Sequence, residues 1–181
     1  MKIFAVYSRL NFSKKPDWLD AFRNKYNYPH TYHVTLKQPT YIEEDEIVNV
    51  KNILAGIFNE LKLPDHKIDI VFDKVVTDTP IMIVATQKGE TGVLQSKIVS
   101  ALGRYTNFVN PESKNWEEDF KPHITITDDL DSEKLEQAKL DFLIAQDIWI
   151  WRPPCFVLTK KILHHFVFVR LFEIQNLKRN A

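Results

Sequence analysis

Apolar positions recur along the chain with two periods, and each switch between them marks a new element. Residues 3–7 form a short apolar run closed by Ser8-Arg9, which predicts a first strand. The run is too short for a leader, and no small-residue cleavage site follows it. Pro16-Asp17 opens a short helix whose apolar residues, Leu19, Phe22 and Tyr26, recur at helical spacing. A strand is predicted over residues 31–37 and is expected to stop at Gln38-Pro39, because proline cannot donate to a ladder. Residues 43–61 carry the plainest helical stripe, Ile47, Val50, Leu54, Ile57, Phe58 and Leu61, behind an acidic N-terminal turn.

Two β-rich runs follow, residues 67–76 and 81–87, separated by turn residues and predicted to pair as an antiparallel hairpin. A helix is expected over residues 91–104 on Leu94, Ile98, Ala101 and Leu102, with Gly103 as its C-terminal cap. Residues 105–118 are polar, contain Pro111, and predict a long loop. A strand at 121–127 leads into an Asp/Ser cluster that caps a helix near Ser132, with Leu135, Ala138 and Phe142 turned inward. The chain closes with residues 148–151, Pro153-Pro154, and two strands predicted at 156–160 and 163–173.

Two of these strands repeat one motif. Tyr32-His33-Val34-Thr35-Leu36 and Pro122-His123-Ile124-Thr125-Ile126 each place a histidine and a threonine two residues apart between aliphatic residues. Side chains alternate across a strand, so His33 and Thr35 share one face while Val34 and Leu36 occupy the other, and His123 and Thr125 do the same. Such a strand can pack one face on a core and turn imidazole and hydroxyl toward a cleft. The motifs lie half a chain apart, and each is followed by a capped helix and then a hairpin. The element order therefore predicts one two-lobed domain over residues 1–181, with related halves of roughly 1–88 and 89–181. A pseudo-twofold axis would make the two motif faces meet across one groove.

Composition narrows the setting. At 181 residues and 44% hydrophobic content the chain can bury a core without staples. Lysine plus arginine and aspartate plus glutamate both number 24, so no overall positive field draws the protein onto long nucleic acid. The single cysteine, Cys155, excludes an internal disulfide and a cysteine-built zinc site, which suits a reducing compartment, and the cytoplasm is the expected location. No segment reaches the roughly 18 apolar residues needed to cross a bilayer.

Paired H-x-[ST]-x motifs on strands, one in each half of a chain of this size, resemble those of the two-histidine phosphoesterase superfamily. That superfamily includes the 2′-5′ RNA ligase-like proteins and the cyclic nucleotide phosphodiesterases. Phe120-Lys121-Pro122 before the second histidine resembles the aromatic-x-Pro that precedes the family's second motif. Members often carry a basic residue after that motif, where this chain has Thr127-Asp128-Asp129. The resemblance implies an α+β fold, bilobal, with antiparallel sheets lining a central groove and helices outside. It also implies hydrolysis of a 2′,3′-cyclic phosphate on a nucleotide or an RNA 3′ end, with His33 and His123 as acid and base and Thr35 and Thr125 holding the phosphate oxygens. No cofactor and no metal are expected. The expected partner is a nucleotide or RNA terminus bearing a cyclic phosphate or a 2′,5′ linkage, with no membrane, and the protein is expected to act as a monomer.

Opening a cyclic phosphate requires one proton taken from water and one given to the departing ribose oxygen. Two imidazoles, with a reference pKa of about 6.5, can do both near neutrality. Lys37 falls two residues after Thr35 and Lys121 two before His123, so each is expected to extend the polar face of its strand, where either would offset charge in the transition state. Tyr41, Phe120 and Trp116 flank the motifs as candidates for stacking on a base. His30 and His33, three apart, fall on opposite faces of a strand and do not make a metal pair, nor do His164 and His165. His66 reads as a turn residue, Cys155 as a packed thiol, and Trp149 and Trp151 as core or interface. Two rivals share the same residues. One is a 2′,5′-phosphodiesterase or 2′-5′ RNA ligase, and the other is a module that binds a nucleotide or RNA end without turning it over.

Overall fold

The computed structural model of the chain describes residues 1–12, 15, 17–28, 30–62, 68–77, 80–127, 130–147 and 155–157. In chain order these form β1 (Lys2–Arg9), β2 (Asn11–Phe12), α1 (Asp17–Lys25), β3 (His33–Ile42), a 3-10 turn (Glu44–Glu46) and α2 (Ile47–Glu60). They continue with β4 (Asp69–Val71), β5 (Lys74–Val76), β6 (Ile81–Val84), α3 (Gly89–Ala101), α4 (Ser113–Glu118), β7 (His123–Thr127), α5 (Ser132–Asp147) and β8 (Cys155–Val157). The fold is mixed α/β. Among the described residues the strands form small sheets ordered β1-β3, β2-β8-β4 and β5-β6-β7, with every pairing antiparallel. No helix among them is long and apolar enough to cross a membrane.

The helices follow their apolar stripes. Ile47, Val50, Leu54, Ile57 and Phe58 of α2 are buried, and the acidic residues Glu44, Asp45 and Glu46 sit in the 3-10 turn at its start, where the helix dipole favours them. The Asp131 carboxylate accepts the Lys134 backbone N–H at 2.9 Å and so caps α5, whose Ala138 and Phe142 are buried in the core. Phe142 meets Trp18 and Phe22 of α1 edge to face at 5.2 and 5.5 Å, joining the last described helix to the first.

Several boundaries depart from the sequence expectation. β3 does not stop at Pro39. It runs to Ile42 because the pairing with β1 is irregular between Phe4 and Val6, so the proline falls where no ladder hydrogen bond is needed. The run predicted as one strand over residues 67–76 is divided. β5 pairs with β6 as expected, whereas β4 pairs with β8. Asp73 sits at the division and accepts the Thr86 backbone N–H at 2.8 Å. Residues 113–118 of the expected long loop form α4, a helix too short to show a periodic stripe. Its start is set by Asn110, which accepts the Glu112 N–H through its side chain and the Ser113 N–H through its carbonyl. Gly103 is not in the left-handed conformation. Its backbone N–H closes a turn onto the Ser100 carbonyl, and a Cβ there would lie 3.2 Å from that oxygen. The expectations at residues 148–151, 153–154, 158–160 and 163–173, with His66, His164 and His165, lie outside the described residues.

Candidate active site

The two H-x-T strands share a local design beyond the motif. From each histidine onward the burial sequence is the same over five residues: half-buried His, buried aliphatic, half-buried Thr, then two buried residues in succession. The break in alternation comes from a register slip at the same place. Tyr7 faces Thr35 and Val6 faces Lys37, so Leu36 is an extra residue on β3. Met82 faces Thr125 and Ile81 faces Thr127, so Ile126 is an extra residue on β7. Such a bulge reverses the side-chain phase of everything after it. It lets His and Thr face one way while the next polar residue, Lys37 or Thr127, turns into the core.

Each imidazole is oriented in the same manner. Nδ1–H of His33 donates to the Thr31 carbonyl at 2.7 Å, and Nδ1–H of His123 donates to the Lys121 carbonyl at 2.8 Å. A carbonyl only accepts, so these bonds place the proton of the neutral ring on Nδ1 and leave the lone pair on Nε2. No described residue bonds either Nε2 or the hydroxyls of Thr35 and Thr125. An aromatic ring lies against each imidazole. Tyr7 is 5.0 Å from His33 at an interplanar angle of 53°, and Trp116 is 5.4 Å from His123 at 49°. The segment that supplies the Thr31 carbonyl is itself anchored, since the buried Arg23 donates to the His30 carbonyl and lies 3.9 Å above the Tyr32 ring.

Burial holds both histidines below their ordinary pKa, opposed in each by the backbone hydrogen bond. For His33, the nearby His30, His123 and Arg23 press in the same direction. The two motif imidazoles are thus near enough for the charge of one to act on the other, although β3 and β7 belong to different sheets. Burial thus favours the neutral form of both rings near neutrality.

Around the four motif residues the structure sorts the flanking candidates. Trp116 is at the site, 38% exposed and against His123. Lys37 is not on the His33 face, a correction to the reading from even spacing. The bulge at Leu36 turns it inward to 1% exposure, where its ammonium meets Glu117 at 2.8 Å and lies 4.5 Å from the Phe108 ring centroid. Phe120 is 5% exposed and belongs to the hydrophobic core, so it is not available to stack on a ligand. Lys121 points its ammonium to Asp119 at 2.6 Å in solvent, and its contribution to His123 is the backbone carbonyl. Tyr41 lines a separate surface cavity with Met1, Glu43 and Arg104. Tyr7 and Arg9 were not singled out in the sequence. They lie across the ladder from Thr35 and His33 and share their face, and the alternation of β1 carries that signal once its pairing is known.

No protein-family model matches the chain, and no curated protein matches it in sequence. The chemistry open to the site is therefore read from its groups. It holds two neutral imidazoles with accessible Nε2 lone pairs, two hydroxyls able to donate to an anion, and two aromatic rings at the flanks.

Proposed function

We propose that the protein is a phosphoesterase that opens a 2′,3′-cyclic phosphate on a nucleotide or RNA 3′ end by two-histidine acid–base catalysis, as the resemblance to the two-histidine phosphoesterases implies. The observation that carries this reading is the matched pair of Nδ1–H bonds to the carbonyl two residues before each histidine. They dedicate both Nε2 atoms to proton transfer. In the productive state one Nε2 is bare and the other protonated.

Water attacks phosphorus in line as the bare Nε2 takes its proton. The new P–O bond forms while the bond from phosphorus to one ribose oxygen breaks, and the protonated Nε2 delivers a proton to that oxygen. Atoms and charge balance without a further reactant. The Thr35 and Thr125 hydroxyls donate to the non-bridging oxygens and orient the phosphorus between the imidazoles. Trp116 offers its exposed face to a base on the His123 side. Under this reading the two lobes are related by a pseudo-twofold axis, and the repeated burial pattern and bulge of the motif strands are what support it.

The test is incubation of the wild type, His33→Ala and His123→Ala with a short RNA ending in a 2′,3′-cyclic phosphate, in EDTA, with the terminal phosphate read by mass. Turnover by the wild type and loss of about 100-fold or more in each variant is expected. Tight binding of the RNA by a folded wild type that releases no product would replace hydrolysis with a binding role.

A further inference from the structure

The geometry points to Glu117 as a positioning residue that ties the first motif strand to the aromatic partner of the second histidine, and so sets the spacing of His33 and His123. The inference rests on the two-histidine reading. Its starting point is a gap in the backbone framework, because among the described residues β3 and β7 lie in different sheets and no ladder of hydrogen bonds joins them. Acid and base must nevertheless straddle one phosphorus, where a displacement of about 1 Å can cost 100-fold in rate.

Helix α4 spans this gap with consecutive side chains. Trp116 lies against the His123 ring, and Glu117 reaches β3 just beyond the bulge. There the Glu117 carboxylate accepts the Lys37 ammonium at 2.8 and 3.1 Å and the Gln38 backbone N–H at 2.8 Å. The bond to Gln38 grips the backbone of β3 rather than a movable side chain. On the other side the Glu117 carbonyl accepts from the Gln95 side chain at 3.2 Å, which ties the helix to α3.

The segment before α4 is already tied to β3, where the Tyr41 N–H donates to the Asn107 carbonyl at 2.8 Å and the Val109 N–H to the Pro39 carbonyl at 3.0 Å. A cavity of about 690 Å³ borders α4 at Lys114, Glu117 and Glu118, with Tyr105 and Phe108 on the far wall. The bonds at Glu117 fasten the C-terminal end of this six-residue helix to β3 beside that space. Lys37 supplies the matching charge that allows a carboxylate to be buried there.

The test compares Lys37→Met/Glu117→Ala with Lys37→Met/Glu117→Gln. Neither leaves an unpaired buried charge, and only the glutamine can still accept the Gln38 N–H. In NMR spectra the Trp116 ring current displaces the His123 ring protons, a readout independent of turnover, while kcat and the pH profile report on the reaction. The alanine pair should lose the displaced His123 signals and about tenfold or more in kcat with little change in KM, and the glutamine pair should restore both. Retention of the displaced signals by the alanine pair would overturn the proposal. So would failure of an equally stable glutamine pair to restore them. If the wild type turns nothing over, the phosphoesterase reading fails, and the His123 signals still decide whether Glu117 positions the ring.

Discussion

The indole of Trp116 and the imidazole of His123 lie 5.4 Å apart at 49°, and this contact is part of what keeps the histidine out of water. Desolvation is the leading cause of the low pKa of His123. Trp116→Ala should therefore raise the His123 pKa toward the ordinary value, while His33, which has Tyr7 as its ring neighbour, should not rise with it. Titration of the ring protons by NMR checks both halves of the statement, and an unmoved His123 would show that the indole does not shield it.

The same desolvation sets the pH response expected of the proposed two-histidine reaction. A general base must be neutral and a general acid protonated, so the rate peaks between the two pKa values. Both imidazoles are held below 6.5, so the bell in kcat/KM should have its maximum on the acid side of pH 6.5. A maximum above pH 7.5 would mean that groups other than these histidines govern the profile.

Stability should follow a related course. A lowered imidazole pKa means that the unfolded chain binds the proton more readily than the fold does. As pH drops through about 6.5 the unfolded state takes up protons that the native state refuses, and stability declines until the lower native values are passed. Urea unfolding between pH 7.5 and 5 should show this decline, and replacing both His33 and His123 by alanine should flatten it. The hydrogen-bonded carboxylates, Asp20 and Asp141 among them, act in a separate and more acidic window, because their pKa values lie below 3.8.

The buried pair of Lys37 and Glu117 should show opposite responses to single and paired substitution. Removing one partner strands a charge in the interior, and Glu117→Ala or Lys37→Ala should cost about 3–5 kcal/mol in urea unfolding. Lys37→Met with Glu117→Leu removes both charges while keeping volume, and should recover most of that loss. Equal losses in the single and paired variants would show that the ionic contact is not what matters at this position.

Phe120 offers a contrast with Trp116, since both are aromatic residues near the second motif and only one is exposed. Phe120→Ala should destabilise the fold by about 3–5 kcal/mol, as expected for an aromatic residue removed from a core. KM of the folded protein should stay within about twofold of wild type, because the side chain does not reach the site. A large rise in KM with unchanged stability would return Phe120 to the list of ligand contacts.

How far the sequence could be read depended on whether local pattern or distant pairing decided the outcome. The helical stripe of α2, the Asp/Ser start of α5 and the alternation through His33-Val34-Thr35 are local, and each is legible in the residues. Lys37 was placed on the wrong side because a two-residue period was carried across a bulge, and the bulge is set by pairing with β1, which no stretch of β3 announces. α4 has a single large apolar residue and one defined turn onset, too little for a periodic signal. Tyr7 joined the site for a related reason, since a cross-strand neighbour becomes visible only when the register is known.

The extra residues Leu36 and Ile126 make chain length, more than composition, the property these segments cannot vary. Inserting one residue between Val6 and Tyr7 would give Leu36 a cross-strand partner, let β3 pleat evenly past Thr35 and carry Lys37 over to the histidine side. One added residue there would place an ammonium beside His33 and leave the Glu117 carboxylate without its counterion in the interior. Many substitutions at Leu36 would be absorbed as a change of packing, but one residue added opposite it would exchange what the strand beyond Thr35 buries for what it exposes.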